Sequence, residues 1–484
     1  MVFAALDLVF EQFSKVLNIP ADQIRLVSAL IMAIPFGIVF SFLRGSFIRH
    51  FLSIVLGLFL QYLVYKDQIV FVLLQTLAVY LMLKIFNRKS VAIVVFVQSL
   101  IYMSAHHIYR QWASYGSWDM DITTILMMTI CKWTGFAWCY QDGGKDESKL
   151  SVDQKMRQLK KLPSFLEYFS YIHFFGSAIC GPNFDYYEFN LFIHKKEHYS
   201  KIPFTLFNSL EWLLKAAAFS GIYICLLPRF PLSYVLSQEY ADLTFLEKSL
   251  FFNICITLIR IKYYAGWCFS QAGVASSGLS YNGKCKDGKN KWDRVLSCIP
   301  SNELSYDIKY KVECWNSSVQ FWLKKYVYLR IYPENGKKSV QRANIAQYAT
   351  NIISAFWHGF YPGYYTAFFQ WSLCMTCAKL FYNASINKAH VFNKIRKSVS
   401  SPVFNVGRFL LAQVPLNCFG IGFQLLSLEN NHTFFKTHSY VYLILVVLVI
   451  LAFNVTGWGQ KSHKKKTEGQ PEQETPSGEN AKSQ

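Results

Sequence analysis

The chain has 484 residues, 52% of them hydrophobic, 17% aromatic and 16% charged, with a formal net charge of +20. A soluble domain of this size carries about a quarter charged residues, so a water-soluble globular protein is excluded. Nucleic acid as the partner of the excess charge is excluded too: Lys and Arg gather in connecting segments, and no DNA- or RNA-binding motif accompanies them.

Met1 to Gln23 reads as a short amphipathic lead-in, with Pro20-Ala21-Asp22-Gln23 resembling a helix start. The N-terminus lacks a basic segment, and Asp7 and Glu11 interrupt its apolar residues, so no cleavable signal peptide is expected. Apolar runs then follow at Ile24 to Phe42, Phe51 to Tyr65, Ile69 to Phe86, Val91 to Met103 and Ile122 to Trp138. A polar loop, Gln141 to Lys161, ends at Pro163-Ser164, which with Glu167 marks the opening of another helix. That run, Phe165 to Cys180, stops at Gly181-Pro182, and a helix cannot pass that pair without a break. Within lipid, such a break must be buried in protein or line a cavity.

Further runs lie at Leu206 to Leu227, Phe245 to Gly273, Ile345 to Phe356, Tyr361 to Phe381, Val403 to Leu428 and Tyr440 to Phe453. A crossing helix needs about 20 apolar residues, which predicts about eleven transmembrane or re-entrant helices. From Gln460 to Gln484 no residue is worth burying, so a disordered cytosolic tail is expected. The division is a lead-in (1–23), one membrane-embedded domain (24–459) and a tail (460–484), without an internal repeat. The basic connectors, Lys145 to Lys161, Lys284 to Arg294, Lys324 to Arg342 and Lys388 to Lys397, obey the positive-inside rule if they face the cytosol. Twelve cysteines show no disulfide framework; Cys374 and Cys377 form a C-x-x-C inside an apolar run without His or Cys partners, which reads as packing.

Two segments carry chemistry. His358 lies in the aromatic run Ile352 to Tyr365, and an ionisable group at membrane depth marks a functional site. The Tyr361-Pro362-Gly363 break leaves it near a helix end, facing a cavity. The second segment, Cys314 to Arg330, puts Trp315, Val319, Trp322 and Tyr326 on one stripe, as in a helix lying against the membrane, with Asn316 beside it.

The spacing W-N-x5-W-L-x3-V-Y from Trp315, followed by Trp357-His358-Gly359 and Pro362-Gly363-Tyr364-Tyr365, resembles the membrane-bound O-acyltransferase family, in its lysophospholipid branch. Pro163-Ser164-Phe165-Leu166-Glu167-Tyr168, Gly181-Pro182, Lys262-Tyr263-Tyr264 and Lys291-Trp292-Asp293 add to the resemblance, which runs from about Phe36 to Phe453. It implies an all-α polytopic membrane protein with helices around a central reaction chamber. It further implies a catalytic pair, His358 and Asn316, with Trp315, Trp357, Trp292, Asp293, Tyr264 and Lys262 as substrate-binding positions. The implied partners are acyl-CoA as co-substrate, a lysophospholipid and the bilayer, with no metal or bound cofactor, in the endoplasmic reticulum membrane. Lysophosphatidylcholine and lysophosphatidylethanolamine are expected before inositol lipids.

The chemistry fits that assignment. An imidazole with a pKa near 6.5 suits removal of a hydroxyl proton at neutral pH. An amide N–H suits a developing oxyanion, or orients the acceptor. Glu167, Asp293 and Glu313 are candidate carboxylates to orient the imidazole. Basic residues Lys284, Lys289, Lys291, Arg294, Lys324, Lys325 and Arg330 are candidates to hold phosphates, and Arg260 and Lys262, at the edge of a run, are stronger ones. Competing readings are bland. His106, His107 and His173 also lie in or beside apolar segments, and His173 reads as structural. Asn316, Asn383, Asn431 and Asn454 each begin a glycosylation sequon, and only Asn431 falls in a loop expected to face the lumen. A different hydroxyl acceptor, or a proton-coupled transporter using His358, are the alternatives. The transporter would call for paired midplane charges and repeat symmetry.

Overall fold

A computed structural model of the chain describes residues 2–117, 120–336, 339–386, 391–398 and 400–458. The expected tail from Gln460 lies outside these residues. Within lipid every backbone N–H and C=O must be satisfied inside the chain, and apolar runs of this length do so as helices. Among the described residues the only β pairing is an isolated antiparallel bridge between Lys284 and Asn290.

The first helix, α1 (Val2–Leu17), folds back on α2 (Ala21–Phe42), where Asp7 and Glu11 both reach Arg25 at 3.1 Å. Then come α3 (Ser46–Tyr65) and α4 (Ile69–Ile85), separated at Lys66, whose φ of +50° ends the first of them. Next are α5 (Val91–Ala113) and α6 (Ile122–Asp142), the latter capped by the Asp121 carboxylate on the Thr123 N–H. Three short helices follow, α7 (Val152–Arg157), α8 (Phe165–Ile172) and α9 (Tyr186–Ile193). Beyond them lie α10 (Leu206–Leu226), α11 (Gln238–Asp242) and α12 (Phe245–Ser277). At 33 residues α12 is about 50 Å long, well over the roughly 30 Å hydrocarbon thickness.

After a long connector the chain forms α13 (Ile308–Trp315), α14 (Ser317–Leu323), a π-helical turn at Lys324–Tyr328 and α15 (Leu329–Ile331). The last group is α16 (Val340–His358), α17 (Pro362–Ile386), α18 (Val391–Ser398), α19 (Ser401–Leu425), α20 (Leu428–Thr437) and α21 (Val441–Thr456).

Among the described residues, six helical stretches are long and apolar enough to cross a membrane, or seven if α20 and α21, bent by 83°, form one span. The expected number of about eleven, which included re-entrant helices, is not confirmed on length and composition. The run at 165–180 shows why. Its helix ends at Ile172, and Phe174, Phe175, Ala178 and Ile179 are buried in irregular chain. These residues are apolar because protein, not lipid, surrounds them. The sequon at Asn431 is corrected as well: its side chain is buried and donates to the carbonyls of Gly422 (3.1 Å) and Ser427 (2.7 Å), tying α20 to α19.

Packing divides along α12. Its first half (Phe252, Cys255, Ile256, Ile259) packs with Cys418, Phe419, Phe434 and Phe435 of α19 and α20. Its second half (Tyr264, Cys268, Ala272, Ala275) packs with α2 and α10 through Ile34, Trp212 and Ala216. The largest cluster joins α2 through α6, α8 and α9 to Trp322, Tyr326 and Trp357.

Backbones approach closely where glycine allows it. A Cβ on Gly57 of α3 would lie 1.7 Å from the carbonyl oxygen of His173, whereas one on Gly221 of α10 would meet nothing within 4 Å. Gly57→Ala is expected to cost about 1–3 kcal/mol or more by overpacking, and Gly221→Ala to be neutral or slightly stabilising. Thermal unfolding of the two variants in detergent checks the contrast.

Candidate functional site

His358 is the last residue of α16. The helix stops there because Gly359 takes φ +120°, and Pro362 opens α17 three residues later. A helix end leaves carbonyls without intrahelical partners. His107 of α5 meets that need: its Nε2–H donates to the Trp357 carbonyl at 3.2 Å. The Trp357 indole is buried and donates to the Met127 carbonyl of α6 at 2.7 Å. The backbone on which His358 stands is thus held from two sides.

The His358 ring is half-buried within a ring of aromatics. Trp357 lies 4.8 Å away between centroids, Phe423 4.9 Å, and Tyr364 and Phe368 each 5.7 Å. It has no hydrogen-bond partner among the described residues, so both ring nitrogens are available. Phe423 reaches it because α17 and α19 touch at their backbones. The Gly363 N–H donates to the Leu426 carbonyl at 2.6 Å, and a Cβ on Gly363 would lie 2.4 Å from the Gly422 oxygen.

Asn316 stands between α13 and α14 at φ −123°, ψ 76°, outside helical geometry. Its Oδ1 accepts from the Val319 N–H and the Ser318 hydroxyl, both at 3.3 Å. A backbone N–H can only donate, so the atom facing it is the oxygen and the amide NH2 is turned the other way. That NH2 is unpaired among the described residues. The expected continuous stripe is corrected by this break. Trp315 packs on α12, while Val319, Trp322 and Tyr326 are buried in the main core instead of facing lipid. Polar partners fix them there: the Trp322 indole donates to Thr134 at 2.9 Å, and the Tyr326 hydroxyl is held by Arg157 and Asp185.

The two segments border one aromatic wall. Trp315 stacks edge-on against Trp267 (4.8 Å), Tyr264 (5.1 Å) and Tyr263 (5.8 Å). Tyr263 is hydrogen-bonded to Gln424, the neighbour of the Phe423 that covers His358. In addition, α13 lies against α17. The other expected positions divide. Tyr264 is buried and donates toward Asn302 (2.6 Å) and Glu303 (2.8 Å), and the Lys262 amine stands 5.4 Å from the Tyr263 ring centre.

Trp292 and Asp293 lie elsewhere, in the loop around the 284–290 bridge. Trp292 packs on Tyr281, and exposed Asp293 accepts from Asn282 at 2.8 Å. None of the three carboxylates considered contacts His358: Glu167 caps its own helix through Ser164, Asp293 is exposed, and Glu313 pairs with Lys309. Three of the seven cations of the rim are also taken up internally. Arg294 pairs with Glu188, Lys325 with Asp153 and Arg330 with Asp142, each at 2.7 Å. Sequence reasoning missed Phe423, Gln424 and the support from His107. The pair Gly420 and Gly422 in an apolar run was the available sign of close helix packing.

The family profile of the membrane-bound O-acyltransferases matches residues 107–421. The chain belongs to this family; it is a multi-pass membrane acyltransferase. Its relatives include a protein of Schizosaccharomyces pombe named lysophospholipid acyltransferase, 30% identical over 93% of this chain and 89% of that one. Lysophospholipid acyltransferase 2 of Arabidopsis thaliana is 28% identical, covering 90% and 94%. Membrane-bound glycerophospholipid O-acyltransferase 2 of Rattus norvegicus is 26% identical, covering 94% and 88%.

Behind Trp315 the charge is compensated. Arg260 grips Glu303 at 2.8 and 2.9 Å, and the Lys311 amine donates to the Glu303 carbonyl (2.8 Å) and to Gln413 (2.8 Å). Burial works to raise the Glu303 pKa, but the Arg260 guanidinium outweighs it and holds the carboxyl below its ordinary range. A carboxyl so depressed stabilises the fold above its unfolded pKa of about 4.3. That stability is lost as pH falls through the lower folded value. Glu303→Ala is expected to cost about 3–5 kcal/mol by stranding Arg260 and to flatten the pH dependence of the thermal midpoint below about pH 4.3. Thermal unfolding against pH measures both.

Proposed function

We propose that the chain transfers a fatty acyl group from acyl-coenzyme A to the free hydroxyl of a lysophospholipid, giving a diacyl phospholipid and free coenzyme A. The observation that carries this reading is the half-buried His358 imidazole, unpaired among the described residues at the broken end of α16. The lysophospholipid names of the relatives, matched over nine-tenths of this chain, support the acceptor class.

In this mechanism His358 takes the proton of the lysolipid hydroxyl as its oxygen attacks the thioester carbonyl. The carbonyl becomes an oxyanion, to which the outward-turned Asn316 amide donates a hydrogen bond. Collapse of that intermediate breaks the C–S bond, and the coenzyme A thiolate receives the proton from the imidazolium. No metal or bound cofactor enters the scheme. Trp315, Trp357, Tyr264 and Lys262 line or support the acceptor side. Lysophosphatidylcholine and lysophosphatidylethanolamine are the proposed acceptors, and the endoplasmic reticulum membrane the proposed location.

Purified protein in detergent, given labelled oleoyl-CoA and a panel of lysolipids, should release free thiol only when a lysolipid is present. His358→Ala should lower that rate by about 10²–10⁴, and Asn316→Ala by about 10²–10³. Asn316→Asp keeps a good N-cap but loses the N–H. It should therefore lose activity like the alanine variant while unfolding at nearly the wild-type temperature. Full turnover in His358→Ala rejects the mechanism; substrate flux without covalent product favours a transporter.

A further inference from the structure

Far from His358 in the chain, three side chains meet where α3, α8 and the end of α9 come together. One donor atom each from His50, Glu167 and His194 lies within 4.8 Å of the others. His50 is buried and its two partners are half-buried.

The surrounding hydrogen bonds fix which atoms are free. The Ser170 hydroxyl donates to the Glu167 carbonyl at 2.9 Å, so it accepts from the His50 Nδ1–H at 2.6 Å. His194 Nδ1 faces the Asn190 carbonyl at 3.0 Å and must also carry its proton. Both imidazoles therefore present an unprotonated Nε2. Glu167 spends Oε2 on the Ser164 N–H (2.8 Å) and hydroxyl (2.7 Å), and its other oxygen remains. Three electron pairs then converge with no donor among the described residues to separate them, an arrangement that a cation relieves.

The pattern is that of a metal site with its outer shell in place. Ligating histidines commonly donate the second ring N–H to a carbonyl or hydroxyl, which fixes both tautomer and ring orientation. Two imidazoles and a carboxylate suit zinc and its neighbours better than magnesium or calcium, which prefer all-oxygen sets. Zinc ligands at about 2.0–2.2 Å require these atoms to close by about 1 Å, a matter of small side-chain rotations. Glu167 also lines a cleft of about 730 Å³ with Lys155, Lys160, Lys161 and Asn190. The cleft thus reaches the cluster from its Glu167 side.

We infer that His50, Glu167 and His194 form a zinc-class metal site that clips α3, α8 and α9 together. It is independent of the acyl-transfer reading, since none of the three contacts His358.

The full chain, purified without a histidine tag, stripped with a chelator and dialysed, is titrated with Zn2+ against a chromophoric zinc chelator, with Mg2+ as control. One Zn2+ per chain should bind, and the thermal midpoint should rise with Zn2+ but not with Mg2+. Glu167→Gln retains the capping contact with Ser164 and loses the charged ligand; His194→Gln removes a ligand at a half-buried position. Each should weaken zinc binding by about tenfold or more and abolish the thermal response. His50 lies in the core and is not used as a probe. Zinc binding and a thermal shift equal in wild type and both variants, or no zinc binding by the wild type, overturns the assignment.

Discussion

The surroundings of His358 depend on a contact between backbones. Where α17 starts, Gly363 lies against Gly422 and Leu426 of α19 so closely that a single methyl group would sit 2.4 Å from a carbonyl oxygen. Only this approach allows Phe423 to close over the imidazole and Gln424 to meet Tyr263 of α12. From Tyr263 the wall continues to Trp315 and so to the end of α13. One glycine contact thereby couples three long helices to two polar side chains that lie 42 residues apart in the chain. Small residues at helix contacts are the usual device in membranes, where no hydrophobic force draws helices together.

Cations within the bundle are matched with partners. Arg49 donates to the carbonyls of Phe192 (2.9 Å) and Leu43 (3.2 Å). Lys132 has Tyr171, Ile172 and Ser177 as acceptors, and Arg157 is held by Asp153 and Asp185. Such pairing is what a low-dielectric setting demands, because a stranded charge costs several kcal/mol. The His358 imidazole and the Asn316 amide NH2 are unpaired among the described residues, as are some buried atoms elsewhere, such as His173 Nε2. Both are neutral, so leaving them open costs far less than leaving a charge open.

The sequence disclosed the ends of helices better than their surroundings. Gly359 and Pro362 announced the stop at His358 because their backbone limits act locally, whatever packs nearby. The run at 165–180 could not be read the same way: an apolar residue looks alike whether lipid or protein covers it. The break at Asn316 was hidden for a related reason. Helix-forming residues flank it on both sides, and its capping role appears only once Val319 is seen to donate to it. Asp293 and Trp292 followed the motif but not the location, since their loop is tied to Tyr281 and Asn282 at some remove from the aromatic wall.

These helix breaks also explain how polar chemistry is tolerated in an apolar bundle. A break exposes carbonyls and amides that lipid cannot satisfy, and at the two breaks nearest the site a side chain supplies a missing partner. His107 serves the end of α16, and Asn316 caps the start of α14 with its own oxygen. The second case has a consequence for reactivity. Because the oxygen is committed to the cap, the amide has one face left to offer, and that face can only donate. A donor held in place before any charge develops needs no reorganisation when an oxyanion forms, and such preorganisation gives the largest benefit where water is excluded. The residue that ends one helix and begins the next is thereby oriented for the chemistry by the same bond that stabilises the fold.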